Sequence, residues 1–336
     1  VHRQMVSDTP VGLLLSSGTD SLTILSYLKK LHLTENLNTY SVTYDDLNFS
    51  EQNNINKITS KWGVKNKSIT LTSDDMWKNF DKISKIFDNL ELIPTALAAY
   101  KVSELASQDV KVVQAGIGGD ELFGGYPTYK ATLLYKRLRV FKYLFQNIYP
   151  LINLLPNSTN YLSISEKIKR FLNGFNYDFK ECHFAWRSIF NYLEINNIFR
   201  ERLDYKEILK YQTSYLPDDE EGIELSDLSY ADLNTYQVDH ALSMWDKASM
   251  ASSVEVRVPL IDLELIKFMQ KIPSNIRMQK IGSKSFLKKF LNEKLEMNFC
   301  TIENLVSIYL SIDGLKKIKK IFLKRSFIVS QKIILI

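Results

Sequence analysis

Four short apolar segments alternate with helical segments over residues 11–115, and this alternation constrains the fold more than any other feature. Val11–Leu15 is a continuous apolar run, which is typical of a parallel strand buried on both faces. Leu37–Tyr44, Ser68–Leu71 and Lys111–Ala115 predict three further strands. Strands separated by helices predict an α/β fold with a parallel, doubly wound sheet.

The segments between these strands have helical periodicity. Asp20–Leu31 carries leucines at helical spacing, and a second helix is predicted between a Ser50 cap and Gly63. Gly63 suits the end of that helix because glycine adopts the left-handed conformation at low cost. Two further helices are predicted over Asp74–Phe87 and Thr95–Ser107.

Strand signals fade after about Tyr129. Tyr129–Leu155 and much of Ser163–Leu216 are rich in Tyr, Phe and Leu at helical spacing, which favours core helices over a base-stacking surface. We therefore divide the chain into an α/β core over residues 1–128 and helical C-terminal additions over residues 129–336. An acidic surface loop is predicted over Leu216–Leu225.

Charge and cysteine content argue against several classes of protein. The net charge is +5, but seven cations and no acid follow Gly314, so the rest of the chain is net −2. A nucleic-acid-binding domain would carry its basic residues along one face, so we expect no nucleic-acid partner and interpret the tail as a solvated helix. The only two cysteines, Cys182 and Cys300, form no CxxC motif. This argues against disulfides and structural zinc and favours a reducing, cytoplasmic location.

No apolar run approaches the length of a membrane span, so we expect no membrane partner. The N-terminal residues lack the basic region and apolar stretch of a signal peptide. Because the chain opens with Val1 and reaches a strand within a dozen residues, we interpret it as a piece of a longer protein.

The turn Ser16–Ser21 (SSGTDS) joins the first predicted strand to the first helix. Open α/β sheets bind ligands at this edge, and small residues let backbone N–H groups approach an anion at the helix N-terminus. Asp20 would repel a phosphate unless it held a bridging Mg²⁺. The turn does not match the Walker A pattern, and a tight strand–helix connection without function is an equal alternative.

Three further segments strengthen the functional interpretation. Residues 115–126 (AGIGGDELFGGY) again follow a strand and bring a second acid, Asp120, to the sheet edge. Residues 245–250 (WDKASM) lead into residues 255–262 (EVRVPLID), and Lys284 opens a predicted helix with the sequence KSFLK.

Together these segments resemble the asparagine synthetase family: its PP-loop (SGGxDS), its SG[DE]GxDELFGGY loop, its DxxSM…ExRVPxxD stretch and its KxxLR helix. They occur in the family's order over residues 1 to about 290. The resemblance implies an adenine-nucleotide α-hydrolase-like fold and an ATP-dependent carbon–nitrogen ligase. In the family, aspartate attacks the α-phosphate of ATP, and ammonia converts the resulting β-aspartyl-AMP to the amide, with AMP and pyrophosphate as products.

The resemblance also assigns roles to residues of this chain. It implies that Asp20 and Asp120 hold Mg²⁺ and that Lys284 neutralises charge on the α-phosphate, so that Lys284 and Asp120 are the catalytic candidates. The pyrophosphate-binding residues it implies are Ser16, Ser17, Gly18, Asp20 and Ser21. The adenine pocket it implies is lined by Leu15, Val42 and Gly116.

Structural interpretations of the same residues stay open. Asp20 and Asp120 are each compatible with a helix N-cap, and Lys284 with a solvated lysine. Glu255 and Arg257 are interpreted as a structural ion pair that positions the turn at Pro259. The four histidines show no ligand spacing and are interpreted as structural. Tyr126 and Tyr129 are left open as substrate contacts.

The chain departs from the family pattern at several positions. Ile117 replaces the Glu or Asp assigned in the family as the base that deprotonates the attacking ammonium, and isoleucine cannot accept a proton. Ala115 replaces a serine near the adenine. Ser17 replaces the first PP-loop glycine, where a positive φ would be strained. The family's basic segment after the KxxLR helix has no counterpart in Glu296–Gly314. We therefore expect ATP–Mg²⁺ binding with poor amide synthesis.

Partners and alternatives follow from the resemblance. The family takes ammonia from a glutaminase domain that begins with a nucleophilic cysteine, whereas this chain opens with Val1, so ammonia is expected from an absent domain, another chain or solution. Aspartate is the expected substrate, and another small carboxylate is the alternative. The resemblance is compatible with a homodimer.

Two other functional classes are an inactive ATP-binding remnant and a tRNA-modifying PP-loop enzyme. The charge distribution and the DELFGGY and ExRVP segments argue against the tRNA-modifying enzyme.

Overall fold

The computed structural model describes residues 1–45, 51–87, 94–153, 164–188, 196, 204–278 and 284–295. These residues form two compact units. The first contains Val1–Phe123 and the described part of Tyr236–Ile318, and the second contains the described part of Gly124–Thr235. In the described part of the chain, no helix combines the length and the apolar character that a membrane span requires.

The first unit is built on a five-stranded sheet in which every neighbouring pair is parallel. The strand order is β3-β2-β1-β4-β5. The strands are β1 Val11–Leu14, β2 Asn38–Tyr44, β3 Lys65–Leu71, β4 Val112–Gln114 and β5 Glu255–Arg257. This confirms the predicted α/β fold with a parallel, doubly wound sheet.

Strand β1 lies at the centre of the sheet, and each of its residues is buried, as its apolar sequence predicts. Leu14 pairs with Tyr40 of β2, and Leu13 pairs with Gln114 of β4. Because β1 and β4 are parallel neighbours, the loops that follow them lie side by side at the carboxyl ends of the strands. This is the edge at which open α/β sheets bind ligands.

Helices cover both faces of the sheet. On one face, leucines of the first helix pack with Ile55, Ile58 and Trp62 of the second, and on the other Ala96, Leu97 and Tyr100 pack with Met244 and Ala248. The helices of the first unit are α1 Thr19–Lys30, α2 Gln52–Trp62, α3 Ser73–Lys78, α4 Phe80–Phe87, α5 Pro94–Ala106, α6 Gly119–Phe123, α13 Ser243–Met250, α14 Leu263–Gln270, α15 Ser274–Arg277 and α16 Ser285–Leu295. A π-helical segment over Tyr236–Leu242 precedes α13.

The second unit is helical where it is described, and aromatic residues form its core. Tyr135 stacks on Phe175 with ring centroids 4.4 Å apart, and Phe179 packs on the same tyrosine ring. Its helices are α7 Pro127–Leu138, α8 Lys142–Asn153, α9 Ile164–Asn173, α10 Phe179–Ala185, α11 Tyr205–Thr213 and α12 Leu225–Asn234. The predicted core role is confirmed for these three aromatic residues, whereas Phe141, Tyr143 and Tyr211 are exposed.

The structure differs from the sequence predictions in one of the predicted helices. One helix was expected over Asp74–Phe87, but Asn79 separates α3 from α4. The capping box of Thr72 and Asp75 starts α3, so this short helix has an initiation signal separate from that of α4. Gly63 ends α2 in the left-handed conformation, as predicted. The Ser50 cap lies outside the described residues.

No sequence pattern predicts β5, which pairs with β4 although the two strands are more than 100 residues apart in the chain. Glu255 and Arg257 flank a single apolar residue in this three-residue edge strand, so no alternating pattern develops. The Arg257 Nε lies 2.7 Å from Glu255 Oε1, which confirms the predicted ion pair. The same guanidinium also donates to the carbonyl oxygens of Gln4 and Val6. The division at residue 128 stays a prediction.

Candidate active site

The turn Ser16–Ser21 lies at the carboxyl end of β1, and its own hydroxyl groups fold it. The Ser21 hydroxyl donates to the carbonyl oxygens of Ser16 and Gly18, and it accepts the Ser16 amide at 3.1 Å. The Gly18 amide donates to Ser16 Oγ. Among the described non-glycine residues, a positive φ occurs at His32, Ser253 and Lys284, so Ser17 fits the turn without left-handed strain.

The loop after β4 packs directly on the start of α1. A Cβ atom at Gly116 would lie 2.7 Å from the Ser21 amide nitrogen, and one at Gly119 would overlap the Asp20 carboxylate. Only glycine therefore allows these two backbones to approach so closely. This contact brings Asp120, in the first turn of α6, next to Asp20.

Lys284 lies between the two aspartates. Its Nζ donates to Oδ2 of Asp20 and lies 2.8 Å from Oδ1 of Asp120. The lysine side chain is 3% exposed, compared with 13% for Asp20 and 27% for Asp120. Residues that are far apart in the sequence thus form one buried charge cluster.

Helix α16 positions Lys284 through contacts with both neighbouring helices. Tyr27 of α1 stacks on Phe290 with centroids 5.5 Å apart, and Phe123 of α6 stacks on Phe286 at 6.3 Å. Lys284 immediately precedes α16 and has a left-handed φ of 54°. Non-glycine residues with this φ are uncommon and concentrate at functional sites, where the surrounding packing holds them.

The charge cluster shifts the pKa values of its members. Burial raises the pKa of Asp20 to about 6, although the Lys284 ammonium acts in the opposite direction. Burial also opposes the charged form of Lys284, but the attraction of Asp20 and Asp120 outweighs it and raises the pKa of that lysine. The lysine is therefore a cation at neutral pH, and its single positive charge offsets part of the negative charge of the two acids.

The two carboxylates also fit a magnesium ion that is bound together with a nucleotide. They already converge on one cationic atom, Lys284 Nζ, and both offer the oxygen ligands that a hard cation prefers. In the described residues, no group of three or more His, Cys, Asp or Glu side chains forms a complete metal site. Magnesium typically takes one or two carboxylates and completes its shell with phosphate oxygens and water, so two acids suffice.

The residues predicted to line an adenine pocket lie at the same sheet edge. Leu15 follows β1, Val42 lies near the end of β2, and Gly116 follows β4. The Ser41 hydroxyl donates to the Leu15 carbonyl oxygen at 2.7 Å, so the ends of β1 and β2 are fixed together. The structure brings these three positions to the edge that carries Asp20 and Asp120, and their contact with adenine stays a prediction.

Ile117 lies in the middle of the second loop and is half-buried. It packs against an apolar cluster that contains Leu14, Tyr40 and Val113. The position that carries an acid in the family motif is therefore an apolar contact in this chain.

The tyrosines that follow the second loop belong to the second unit. Tyr129 is fully buried and stacks on His183, with centroids 5.5 Å apart. The Arg187 guanidinium lies 4.5 Å from the centre of the Tyr126 ring and also pairs with Asp232. Burial of Tyr129 in this network makes it a core residue, while Tyr126 stays an open position.

Two residues at the site escaped sequence analysis. Glu51 is buried, and its Oε2 accepts the Ser17 amide at 2.8 Å. Arg277 is also buried, and it donates to the Leu122 carbonyl oxygen at 3.2 Å. An acid before a helix is an ordinary capping signal, and an arginine at a helix end is an ordinary surface signal. Their partners are distant in sequence, so no local pattern identifies either contact.

The chain matches one family of known proteins over most of its length. The profile of the family described as Asparagine synthase matches residues 1–300. The chain is 28% identical over 293 residues to asparagine synthetase [glutamine-hydrolyzing] 1 of Bacillus subtilis (strain 168), covering 86% of this chain and 44% of that protein.

Two further relatives have similar names. The chain is 25% identical over 295 residues to a putative asparagine synthetase [glutamine-hydrolyzing] of Mycobacterium bovis, covering 87% of this chain and 43% of the relative. It is 33% identical over 129 residues to a putative asparagine synthetase [glutamine-hydrolyzing] 2 of Methanocaldococcus jannaschii, covering 38% of this chain and 25% of the relative. The chain thus spans less than half the length of these relatives. Because the family profile matches most of its residues, the chain belongs to the asparagine synthase family.

Proposed function

We propose that the chain is an ATP-dependent ligase that converts the side-chain carboxylate of aspartate to an amide. A carboxylate oxygen attacks the α-phosphorus of ATP, the bond to the bridging oxygen breaks, and pyrophosphate leaves. Ammonia then attacks the acyl carbon of the adenylate, and AMP leaves. The observation that carries this proposal is the placement of Lys284 between Asp20 and Asp120 beside the SSGTDS turn.

Each group at the sheet edge has a role in this reaction. The free amides in the first turn of α1 and the helix dipole favour bound phosphate groups. Asp20 and Asp120 would hold Mg²⁺, which would neutralise phosphate charge and orient the leaving pyrophosphate when bound. Lys284 would place its positive charge beside the nucleotide phosphates, because its ammonium lies next to both acids that would hold the cation. Burial strengthens these charge interactions, because the effective dielectric constant around them is lower than in water.

Ammonia is the second substrate, and we propose that it comes from glutamine hydrolysed outside the residues described here. The relatives are named as glutamine-hydrolysing enzymes, and the chain covers 44% of the first of them. Within the described residues, Cys182 is buried, and burial raises its thiol pKa well above the ordinary value. Such a thiol is a poor nucleophile, which supports a separate source of ammonia.

The apolar environment of Ile117 favours a chain that forms the adenylate readily but the amide slowly. A half-buried isoleucine that packs against the apolar cluster containing Leu14 and Val113 offers no base for the attacking ammonium. A remnant that binds ATP without adenylating a carboxylate is the second candidate, and the same observation supports it. Another small carboxylate is the alternative substrate within the first candidate.

Pyrophosphate–ATP exchange with a panel of carboxylates tests the proposal. We expect exchange that depends on aspartate and falls at least about a hundredfold in Asp120→Asn, because one ligand to the phosphate-bound cation is lost. Asp8→Asn, an exposed change in the same unit, should leave the rate unaltered. Tight ATP binding without exchange on any carboxylate would instead identify the remnant, and exchange with a different acid would replace aspartate.

A further inference from the structure

Glu51 is a buried acid that faces the SSGTDS turn. It immediately precedes α2, and its side chain is 3% exposed. Its carboxylate makes no cap on α2; instead, Oε2 accepts the Ser17 amide at 2.8 Å. An acid at a helix N-terminus ordinarily bonds to its own helix, so this orientation requires another explanation.

Burial of Glu51 carries an energetic cost that its partner partly offsets. A buried carboxylate is unfavourable unless hydrogen bonds replace its lost water. Burial raises the pKa of Glu51, whereas the hydrogen bond from the Ser17 amide acts to lower it. Ser17 stands where the PP-loop motif has glycine, so its hydroxyl adds a polar group beside the acid that glycine would lack.

The remaining hydrogen bonds show which amides of the turn are already used. The Ser16 amide donates to Ser21 Oγ, and the Gly18 amide donates to Ser16 Oγ. With the Ser17 amide on Glu51, the amides of Ser16, Ser17 and Gly18 all have protein acceptors. The amides of Thr19–Ser21 open α1, where backbone donors have no acceptor inside the helix.

We propose that Glu51 is a positioning residue of the phosphate site. By holding the Ser17 amide, it fixes the turn so that the first-turn amides of α1, rather than the turn amides, bind the phosphate groups. Glu51 acts through Ser17 and does not contact the nucleotide. This inference rests on the proposed function, because it names the part of the chain that shapes the ATP site.

Three substitutions separate the hydrogen bond from the charge. Glu51→Gln keeps an acceptor of the same length without the charge, Glu51→Asp keeps the charge but is one methylene shorter, and Glu51→Leu removes both. If the hydrogen bond positions the turn, ATP affinity should fall roughly tenfold or more in Glu51→Asp and Glu51→Leu. Glu51→Gln should stay within about threefold of the unsubstituted chain or bind more tightly, because it removes an anion near the phosphates.

Equilibrium titration with ATP and Mg²⁺ measures these affinities, and amide hydrogen exchange of a peptide containing Ser17 reports the hydrogen bond itself. Exchange at Ser17 should accelerate in Glu51→Asp and stay slow in Glu51→Gln. Glu35→Leu is the matched control, because Glu35 is an exposed acid of the same unit. If Glu51→Leu does not fold, the comparison of Glu51→Asp with Glu51→Gln still shows whether the hydrogen bond or the charge of Glu51 determines the ATP affinity.

The outcomes distinguish this inference from the function on which it rests. Failure of the unsubstituted chain to bind ATP would contradict both the positioning role of Glu51 and the proposed function. If the unsubstituted chain binds ATP, equal affinity in Glu51→Asp, or an equal loss in Glu51→Gln and Glu51→Asp, would overturn the positioning role alone.

Discussion

The ammonium nitrogen of Lys284 lies 2.8 Å from Oδ1 of Asp120, in a cluster where the same nitrogen donates to Asp20. A lysine therefore forms ion pairs with both of the acids that are proposed to bind a cation. Because all three side chains converge on one point, Lys284 and a divalent cation would compete for the same carboxylate oxygens. This relationship leads to a prediction about the protein without nucleotide.

We expect Lys284→Gln to bind Mn²⁺ without nucleotide roughly tenfold more tightly than the unsubstituted chain. Removing the internal cation leaves two neighbouring carboxylates that a divalent ion can neutralise. Isothermal titration or Mn²⁺ electron paramagnetic resonance measures the affinity. Lys289→Gln, at an exposed position on α16, is the control and should show no change. Unchanged Mn²⁺ affinity in Lys284→Gln would contradict competition at these oxygens.

Gly119→Ala should disrupt the contact between the two loops. Its Cβ would overlap the Asp20 carboxylate, so the loop must shift, at a cost of about 1–3 kcal/mol in the free energy of unfolding. We also expect ATP–pyrophosphate exchange to fall at least about tenfold, because Asp20 and Asp120 separate. Chemical denaturation and the exchange assay measure the two effects. Gly222→Ala is the control. Its new Cβ would first meet the flexible end of the Asp219 side chain, which can move aside, so the stability and the exchange rate should both change little.

Ile117→Glu should raise the rate of amide formation relative to pyrophosphate exchange. The new carboxylate would provide the base that Ile117 lacks, which contributes about a hundredfold or more in favourable geometry. The packing of Ile117 against the apolar cluster that contains Leu14 and Val113 will be lost, so stability should decrease modestly. Parallel amide and exchange assays give the ratio.

Ile117→Gln is the matched control for this substitution, because glutamine has the same shape as glutamate but is not a base. The ratio should increase only in Ile117→Glu. An equal increase in both variants would point to relief of packing rather than to proton transfer.

His183 should make the second unit less stable as the pH falls. Burial lowers the pKa of His183, although Asp232 acts to raise it, so the folded protein holds the imidazole neutral below its ordinary pKa. The neutral ring can donate to Asp232 from Nε2 and accept from Thr132 at Nδ1. Below about pH 6.5, until the folded protein itself takes up the proton, the unfolded chain binds a proton that the folded chain does not, so the free energy of unfolding should fall by up to about 1.4 kcal/mol per pH unit.

Denaturation in urea at several pH values tests this dependence. His183→Gln keeps a donor and an acceptor but does not titrate, so its stability should vary less over this range. His2→Gln, at an exposed position, should keep the full dependence. If His183→Gln and the unsubstituted chain show the same slope, another group causes the acid sensitivity.

The sequence by itself determined the parallel α/β architecture and the chemical character of the two loops. The apolar run of β1 and the helical spacing of leucines in α1 show, within each segment, which side chains are buried. The resemblance to a known family motif added Lys284, because short motifs in a fixed order carry positional information that periodicity lacks.

Only the tertiary structure decided how these parts meet. The order β2-β1-β4 places Asp120 beside Asp20, and the stacking of Phe290 on Tyr27 brings Lys284 to both. Glu51 acquires its role in the same way, because its hydrogen bond to Ser17 depends on how α2 packs rather than on its neighbours in sequence. Local patterns report which face of a segment is buried, whereas the partner of a buried charge is set by contacts between distant segments.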